Sequence, residues 1–541
     1  MPKLNFHFFK RKPKSQANGV PSSSIPLPDM VPNNAGGFSY EIDDWAKLRR
    51  FLILGSEGGT YYVGEAKLTI ENAKAVERLL EIEPLKVVSE IVEISKTGRS
   101  AKNDACLFAL AMAAGLASPE GKAAALAALP EVARTGTHLF TFVEYVQSFR
   151  GWGRGLRRAI ARWYEVLPPE KLAVQLTKYQ QRNGWSHRDL LRLSHPKADD
   201  TLRNSLYQFA VKGTADGLED ATIIGFQKLR QGVGEEKLDG ASVAQIVESA
   251  KLSMEMVPAE LRFPEVYRVL AKQAGLEWLM RNLGNLSRVD LLSAKERELV
   301  DMVCQRINNQ TALEKARLHP LKILAALAVY RSGCGIRGGG MWTPQAAIVD
   351  ALDEAFYKAF KCITPTGKRL CLGLDVSGSM VGTSVNGIVG LTAREACGAM
   401  ALATAKSEPT ANLSFVAFDT NAYPLAISAK QRLDDVVGLL SRTGGGGTDC
   451  AIPMLWAREN KIPVDVFVIY TDSETWAGEQ HPLEALNAYR DTMGIDAKLV
   501  TVAMAANRIS LADCTDKRML NVVGFDTVTP ELISQFVLGD L

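Results

Sequence analysis

The sequence predicts an α-helical solenoid followed by a doubly wound α/β domain, and three observations carry that prediction. Between Tyr40 and Phe360, short segments with a single apolar stripe succeed one another at helical spacing, separated by Gly, Pro and Asn breaks. Beyond residue 366, short runs that are apolar throughout alternate with segments of helical length. Charge divides at the same place. Residues 1–367 carry 49 Lys/Arg against 40 Asp/Glu, a net of +9, whereas residues 368–541 carry 14 against 20, a net of −6, and the two sum to the overall +3. A chain of 541 residues has room for several domains. The boundaries read as a tail over 1–37, a helical part over 38–365 and an α/β domain over 366–541.

The tail is rich in Pro, Ser and Asn and has no apolar period, so it lacks the surface to fold alone. Helical periods follow at 73–80, 85–96, 104–114, 139–149, 156–164, 171–181, 188–193, 243–253, 265–273 and 320–331. No clean internal repeat is present. So many short amphipathic helices in succession imply stacked helix pairs, as in an α-solenoid; an irregular helical globule would satisfy the same pattern. The alanine-rich stretch 105–129 is interrupted by Ser118-Pro119-Glu120-Gly121-Lys122, too early for it to span a membrane.

In the last third, strands are predicted at 370–374, 413–418, 464–470 and 498–503, with helices at 393–405, 433–440, 452–459 and 483–489. Strands apolar on both faces belong to a parallel sheet covered on both sides. In such sheets ligands sit beyond the carboxyl ends of the strands. Asp375 and Asp472 both fall there.

Those two acids belong to a pattern. Asp375-Val376-Ser377-Gly378-Ser379 places a carboxylate and two hydroxyls on one turn; Gly444 to Gly447 lead into Thr448; and a second strand delivers Thr471-Asp472. Mg²⁺ prefers hard oxygen ligands and retains several waters, so two carboxylates and three hydroxyls suit it. The order D-x-S-x-S, then T, then D resembles the metal-ion-dependent adhesion site of von Willebrand factor type A domains. Asp375, Ser377, Ser379, Thr448 and Asp472 are the matching positions, and a divalent metal, Mg²⁺, is the expected cofactor. The neighbouring acids are Asp419, Asp449 and Glu474, and His481 opens a helix further on. Two-metal hydrolysis needs a denser acidic set, so no catalytic residue is assigned. An Mg-dependent nuclease stays as the lesser alternative, beside a metal-dependent protein-adhesion scaffold.

Within the helical part, 11 Lys/Arg between Arg150 and Lys197 face only Glu165, Glu170 and Asp189. Lys178 and Arg182 stand four apart, which would set them on one helical face, and Arg154 with Arg158, and Arg188 with Arg192, repeat the spacing. With Arg150 and Arg157 they would form a surface that neutralises phosphates. Ser186 is read as an N-cap answered by Asp189, and helix N-termini bind phosphate through free N–H groups, to which His187 and Arg188 would add donors. Trp152, Trp163, Tyr164, Tyr179 and Trp185 lie in the segment mostly at core-like positions. Recognition would then rest on phosphates and duplex shape more than on base stacking. His195 and His319, each before a proline, read as structural.

Several runs resemble the TROVE module of Ro ribonucleoproteins: Gly55-Ser56-Glu57-Gly58-Gly59-Thr60-Tyr61-Tyr62, Gly151-Trp152-Gly153-Arg154-Gly155-Leu156-Arg157-Arg158, the stretch 178–196, Arg281-Asn282-Leu283-Gly284 and 317–324. In that family a type A domain follows TROVE, so the resemblance covers nearly the whole chain outside the tail. It implies a closed ring of HEAT-like helical repeats whose ends are joined by the type A domain. It further implies binding of non-coding Y RNA outside the ring and of single-stranded 3′ ends of misfolded RNA in its hole, in RNA quality control. For bacterial members it adds the exoribonuclease polynucleotide phosphorylase as partner, although no residue here encodes that contact; the chain is expected to be monomeric. The eight cysteines form no C-x-x-C pair, and residues 1–37 show no signal peptide, so a cytoplasmic, non-membrane protein is expected.

Overall fold

The computed structural model describes residues 30–32, 38–40, 44–54, 70–98, 100, 103–214, 217, 219–233, 238–335, 340–385, 390–472, 478–504, 518–523 and 529–539. Most of the predicted tail, the Gly55–Tyr62 run, Glu474 and Cys514 lie outside them. Part of the tail is strand. Met30–Pro32 pairs antiparallel with Phe38–Tyr40, so the folded chain begins before residue 38.

The helical part is a solenoid rather than an irregular globule, and the packing pattern shows it. Helix Pro84–Thr97 packs on Pro119–Val132, Asp104–Leu116 on Gly136–Gln147, and Pro119–Val132 on Arg154–Val166, so successive helices stack on their second neighbours along the chain. Local sequence sets the ends. Ser118 Oγ accepts from Gly121 N, and Asp200, Asp220 and Asp239 accept similarly from residues three ahead, satisfying donors that a helix start leaves open. Prolines open the helices at 84, 119, 169, 264 and 320, where no N–H is needed.

One predicted helix ends early. The segment 171–181 is helical only within Pro169–Lys178, after which Gln181–Arg182 pairs with Trp185–Ser186 across Asn183-Gly184. Both turn residues have positive φ, 52° and 78°, the geometry that Asn-Gly supplies in a tight hairpin. Lys178 and Arg182 therefore do not share a helical face.

The α/β domain carries six strands: β1 (Leu370–Asp375), β2 (Leu413–Phe418), β3 (Ala422–Leu425), β4 (Val466–Thr471), β5 (Lys498–Ala503) and β6 (Met519–Val523). The order is β6-β5-β4-β1-β2-β3. All pairs are parallel except β2 with the edge strand β3, a hairpin return that the search for apolar runs passes over. β1 and β4 are buried along their whole length. Alternate residues serve the two faces: Leu372, Leu374 and Val468 join the core under helix Ala393–Ser407, while Cys371, Phe467 and Ile469 join the one under Ile452–Glu459 and Pro482–Met493.

The domain docks on the last helices of the solenoid. Leu433 N donates to Tyr357 Oη at 2.9 Å, Arg432 stacks over the Tyr357 ring at 4.5 Å, and the same guanidinium pairs with Asp353. Among the described residues the seven cysteines are free thiols, and no helix is long and apolar enough to cross a membrane.

Burial also leaves a pH signature. His138, His187, His319 and His481 are each lowered from 6.5 to about 4, chiefly by desolvation. The unfolded chain takes up these protons below about 6.5, whereas the folded chain resists until about 4, so stability falls as pH drops through that window. Thermal melts at pH 7.5, 6.5 and 5 should give a modest drop between the first two and a much larger one at pH 5. Equal melting temperatures at pH 6.5 and 5 would contradict the burial.

Candidate metal centre and nucleic-acid surface

The parallel register brings the ends of β1 and β4 side by side, with Leu374 opposite Tyr470, so Asp375 and Asp472 leave neighbouring strands together. Asp375 is 0% exposed. Its Oδ1 accepts from Ser377 N and its Oδ2 from Thr471 Oγ1, both at 2.7 Å, which aims the carboxylate across the turn. Ser377 and Ser379 bring their hydroxyls within 3.2 Å of each other. Thr383 Oγ1 donates to Asp472 Oδ2 at 3.4 Å, and Asp472 and Thr448 are both buried. Burial raises the Asp375 carboxyl to about 6, held back by the bonds from Thr471 and Ser377, with the Asp472 charge adding to the rise.

The glycine run presents Thr448 by packing on the same turn. Gly444 has φ +69°, and a Cβ there would stand 2.4 Å from Val376 Cγ2, so only glycine lets the loop approach so closely. Asp419, at the end of β2, clamps that loop: its Oδ2 accepts from Gly446 N at 3.0 Å and its backbone oxygen from Asp449 N at 3.0 Å. Buried Arg394 holds the other side, Nη2 donating to the carbonyls of Val376 and Ser377 at 3.4 and 3.3 Å. Sequence reasoning assigned no part to Arg394 and counted Asp419 only as a spare acid. Both act on the backbone of distant loops, which no local spacing reveals. Two buried carboxylates beside three hydroxyls form a hard-oxygen set that a divalent cation would neutralise. Among the described residues no group of three or more His, Cys, Asp or Glu gathers for a metal, so at the crest the hydroxyls would have to supply the remaining ligands.

The basic segment divides on inspection. Arg154, Arg157, Arg158 and Arg162 are exposed along helix Arg154–Val166, and Arg188 and Arg192 are exposed on His187–Ser194. Among the described residues none of these six has an ion-pair partner. Arg150 is partly structural, donating Nη1 to Ala114 O at 2.7 Å, and Lys178 lies 3.8 Å from Glu255. Arg182 sits half-buried in the hairpin.

His187 departs from expectation. Ser186 and Asp189 do form the expected capping box, yet the histidine between them turns inward and is 3% exposed. Tyr164 Oη lies 2.8 Å from Nδ1 and Gln175 O lies 3.1 Å from Nε2, so both ring nitrogens are spent inside the solenoid. The ring also packs 4.8 Å from Phe140. It is not an exposed phosphate donor. The physical reason is the first-turn position of an amphipathic helix, which aims His187 along the stripe that includes Leu190 and Leu191. His187→Ser should cost about 2–4 kcal/mol, from the cavity and the unpaired Tyr164 hydroxyl. A melting temperature within 1 °C of the parent, about the resolution of the measurement, would refute this. His319 is structural as expected, capping its own helix through Nδ1 and Leu321 N at 3.2 Å. His195 is exposed in the left-handed C-cap of the same helix as His187. His138, on which the sequence is silent, faces Asn103 Nδ2 at 3.4 Å.

Comparison with known proteins matches both parts of this geometry. A family model described as the Ro60 vWA domain matches residues 369–537, and one described as the TROVE domain matches residues 31–232 and 264–330. A Deinococcus radiodurans protein named RNA-binding protein RO60 is 40% identical over 513 residues, covering 95% of this chain and 96% of the relative. The chain belongs to the Ro60 family. A Caenorhabditis elegans Ro60 relative, also named an RNA-binding protein, is 36% identical across 95% of this chain and 90% of its own. The crystal structure of the Deinococcus radiodurans Ro (RSR) protein matches this Ro60-family fold with a TM-score of 0.84 at 39% identity, covering 92% of this chain and 100% of that one. The match to residue 31 agrees with the strand at Met30–Pro32 and again shortens the predicted tail.

Proposed function

We propose that this Ro60-family chain is an RNA-binding protein whose solenoid holds structured non-coding RNA of the Y type and single-stranded 3′ ends of misfolded RNA, while the α/β crest holds Mg²⁺. The carrying observation is the row of exposed arginines on helix Arg154–Val166, without ion-pair partners among the described residues. Surface cations are ordinarily answered by neighbouring acids; a row left unanswered favours a polyanion supplied from outside. The names of the relatives support the same ligand class.

At the crest, Asp375, Ser377, Ser379, Thr448 and Asp472 would hold the ion. Bound there, Mg²⁺ would supply a Lewis-acidic position for a partner's carboxylate. The chain's own contribution is orientation: Thr471 and Ser377 N aim Asp375, Asp419 and Arg394 fix the two loops, and the acidic domain repels RNA from the crest. Among the described residues no histidine stands beside Asp375 and Asp472 in sequence, which favours retention of RNA over cleavage.

Stem-loop RNAs with and without a single-stranded 3′ tail test the reading. The tailed RNA should bind better, changing the tail's sequence should matter less than removing it, and end label should stay intact with Mg²⁺. Equal affinities would refute end recognition, metal-dependent shortening would revive the nuclease, and absence of binding to either would remove RNA altogether.

A further inference from the structure

One corner of the solenoid is apolar and acidic at once. Helix Ile70–Ile82 gives way to helix Pro84–Thr97 across Glu83, and the bend leaves Ile82 73% exposed and Leu85 53% exposed. Large aliphatic side chains left in water at one bend and rimmed by charge mark a docking surface. Glu77 and Glu81 are exposed one turn apart on the first helix. Glu120 is exposed at the start of helix Pro119–Val132, which meets the corner so closely that a Cβ on Gly121 would stand 2.6 Å from Pro84 Cβ. Among the described residues none of these three acids has an ion-pair partner. Unanswered acids keep RNA away from the corner and favour an occupant that is cationic and apolar.

The chain itself supplies one. Its first residues include Leu4, Phe6, Phe8 and Phe9, followed by Lys10, Arg11, Lys12 and Lys14, and no acid precedes Asp29. This segment lies outside the described residues, and alone it has too little apolar surface to fold. The fold brings it within reach of the corner. Asp44 is held by Arg78 at 2.6 and 2.7 Å, and Lys86 Nζ stands 4.2 Å from the Trp45 ring centre, so the start of helix Asp44–Leu54 sits against both sides of the bend. Met30 pairs with Tyr40, four residues before Asp44, which puts Met30 within about 20 Å of that start. Residues 15–29 can span up to about 50 Å, more than the gap requires. Such a tether also gives an effective concentration of about millimolar, so contacts too weak to join separate molecules are populated within one.

We infer that residues 4–14 of this chain dock on the corner, the phenylalanines covering Ile82 and Leu85 and the cations answering Glu77, Glu81 and Glu120. The segment is held by protein, and its cations are taken up by acids of the same chain instead of adding to the RNA-binding surface. The inference stands independently of the RNA-binding reading.

A water-soluble carbodiimide joins a lysine to a carboxylate only where the two touch, so the experiment treats the full chain at low concentration and identifies the linked peptides by mass spectrometry. Lys10, Lys12 and Lys14 should be joined to Glu77, Glu81 and Glu120, at a yield independent of protein concentration. Ile82→Ser with Leu85→Ser keeps every carboxylate and should lower that yield at least about tenfold, the scale of losing the burial of one or two aliphatic side chains. Both positions are exposed, and thermal melts verify that the variant is folded. Absence of these links in the parent, or a yield that survives the double variant, overturns the inference. Links that form only between isotopically labelled and unlabelled copies put a second copy's segment on the corner and overturn docking within one chain. Lys10→Gln with Arg11→Gln and Lys12→Gln should leave stem-loop RNA affinity within about twofold, whereas a loss of about tenfold or more makes RNA the segment's partner and overturns the inference.

Discussion

Asp375→Ala should abolish Mg²⁺ binding, with a loss of more than about 100-fold, beyond what removal of an outer-shell partner causes. The carboxylate is buried, central to the turn and oriented by two 2.7 Å hydrogen bonds, so no neighbour can replace it. Asp375→Asn separates charge from architecture. Its amide can still accept from Ser377 N, yet the negative charge is gone. Both variants should therefore lose the metal in calorimetric titration with MgCl₂, while only the alanine form loosens the loop. RNA affinity should stay within about twofold of the parent in either, because Asp375 is buried in the acidic domain while the arginine row proposed to hold RNA lies on the solenoid. Retained Mg²⁺ binding by Asp375→Asn would mean that the metal lies elsewhere.

Replacing Arg154, Arg158 and Arg162 together by alanine should give the largest loss on the RNA side. Each phosphate contact contributes roughly 0.7–0.9 to the slope of log K against log salt, so three contacts remove about two to three units. Carried from 1 M salt to 0.15 M, that slope corresponds to an affinity loss of about 100-fold. The three side chains are exposed and lack ion-pair partners among the described residues, so their removal should leave the melting temperature nearly unchanged. A salt titration of a paired stem-loop reads both quantities. A parallel shift with no change of slope would place these arginines away from the phosphates.

These two sites differ in how far the sequence alone exposed them. The candidate metal ligands are legible because the motif is chemical: two carboxylates and three hydroxyls follow strand ends in a set order, and a parallel sheet must bring strand ends together. The arginine row is legible because charge imbalance survives any detail of packing. His187 was not legible. Its neighbours Ser186 and Asp189 announce a helix start correctly, but whether a first-turn side chain faces water or core depends on the helix it packs against. Lys178 and Arg182 failed for a related reason, since the Asn183-Gly184 turn ended the helical period between them.

What the sequence determined by itself is therefore periodicity, charge and the order of ligands. It determined an α-helical part before an α/β part, β1, β2, β4 and β5 as strands, and Asp375 and Asp472 at their ends. Only the tertiary structure decided that helices pack with their second neighbours, that Asp419 and Arg394 hold the loops of the candidate metal centre, and that His187 serves the core. Each of these depends on which surfaces meet across many residues of chain, as Arg394 with Val376 and Ser377 does across 18 and 17 and Asp419 with Gly446 across 27. Local spacing carries no record of such meetings, because they are selected by burial and hydrogen-bond satisfaction in the packed molecule.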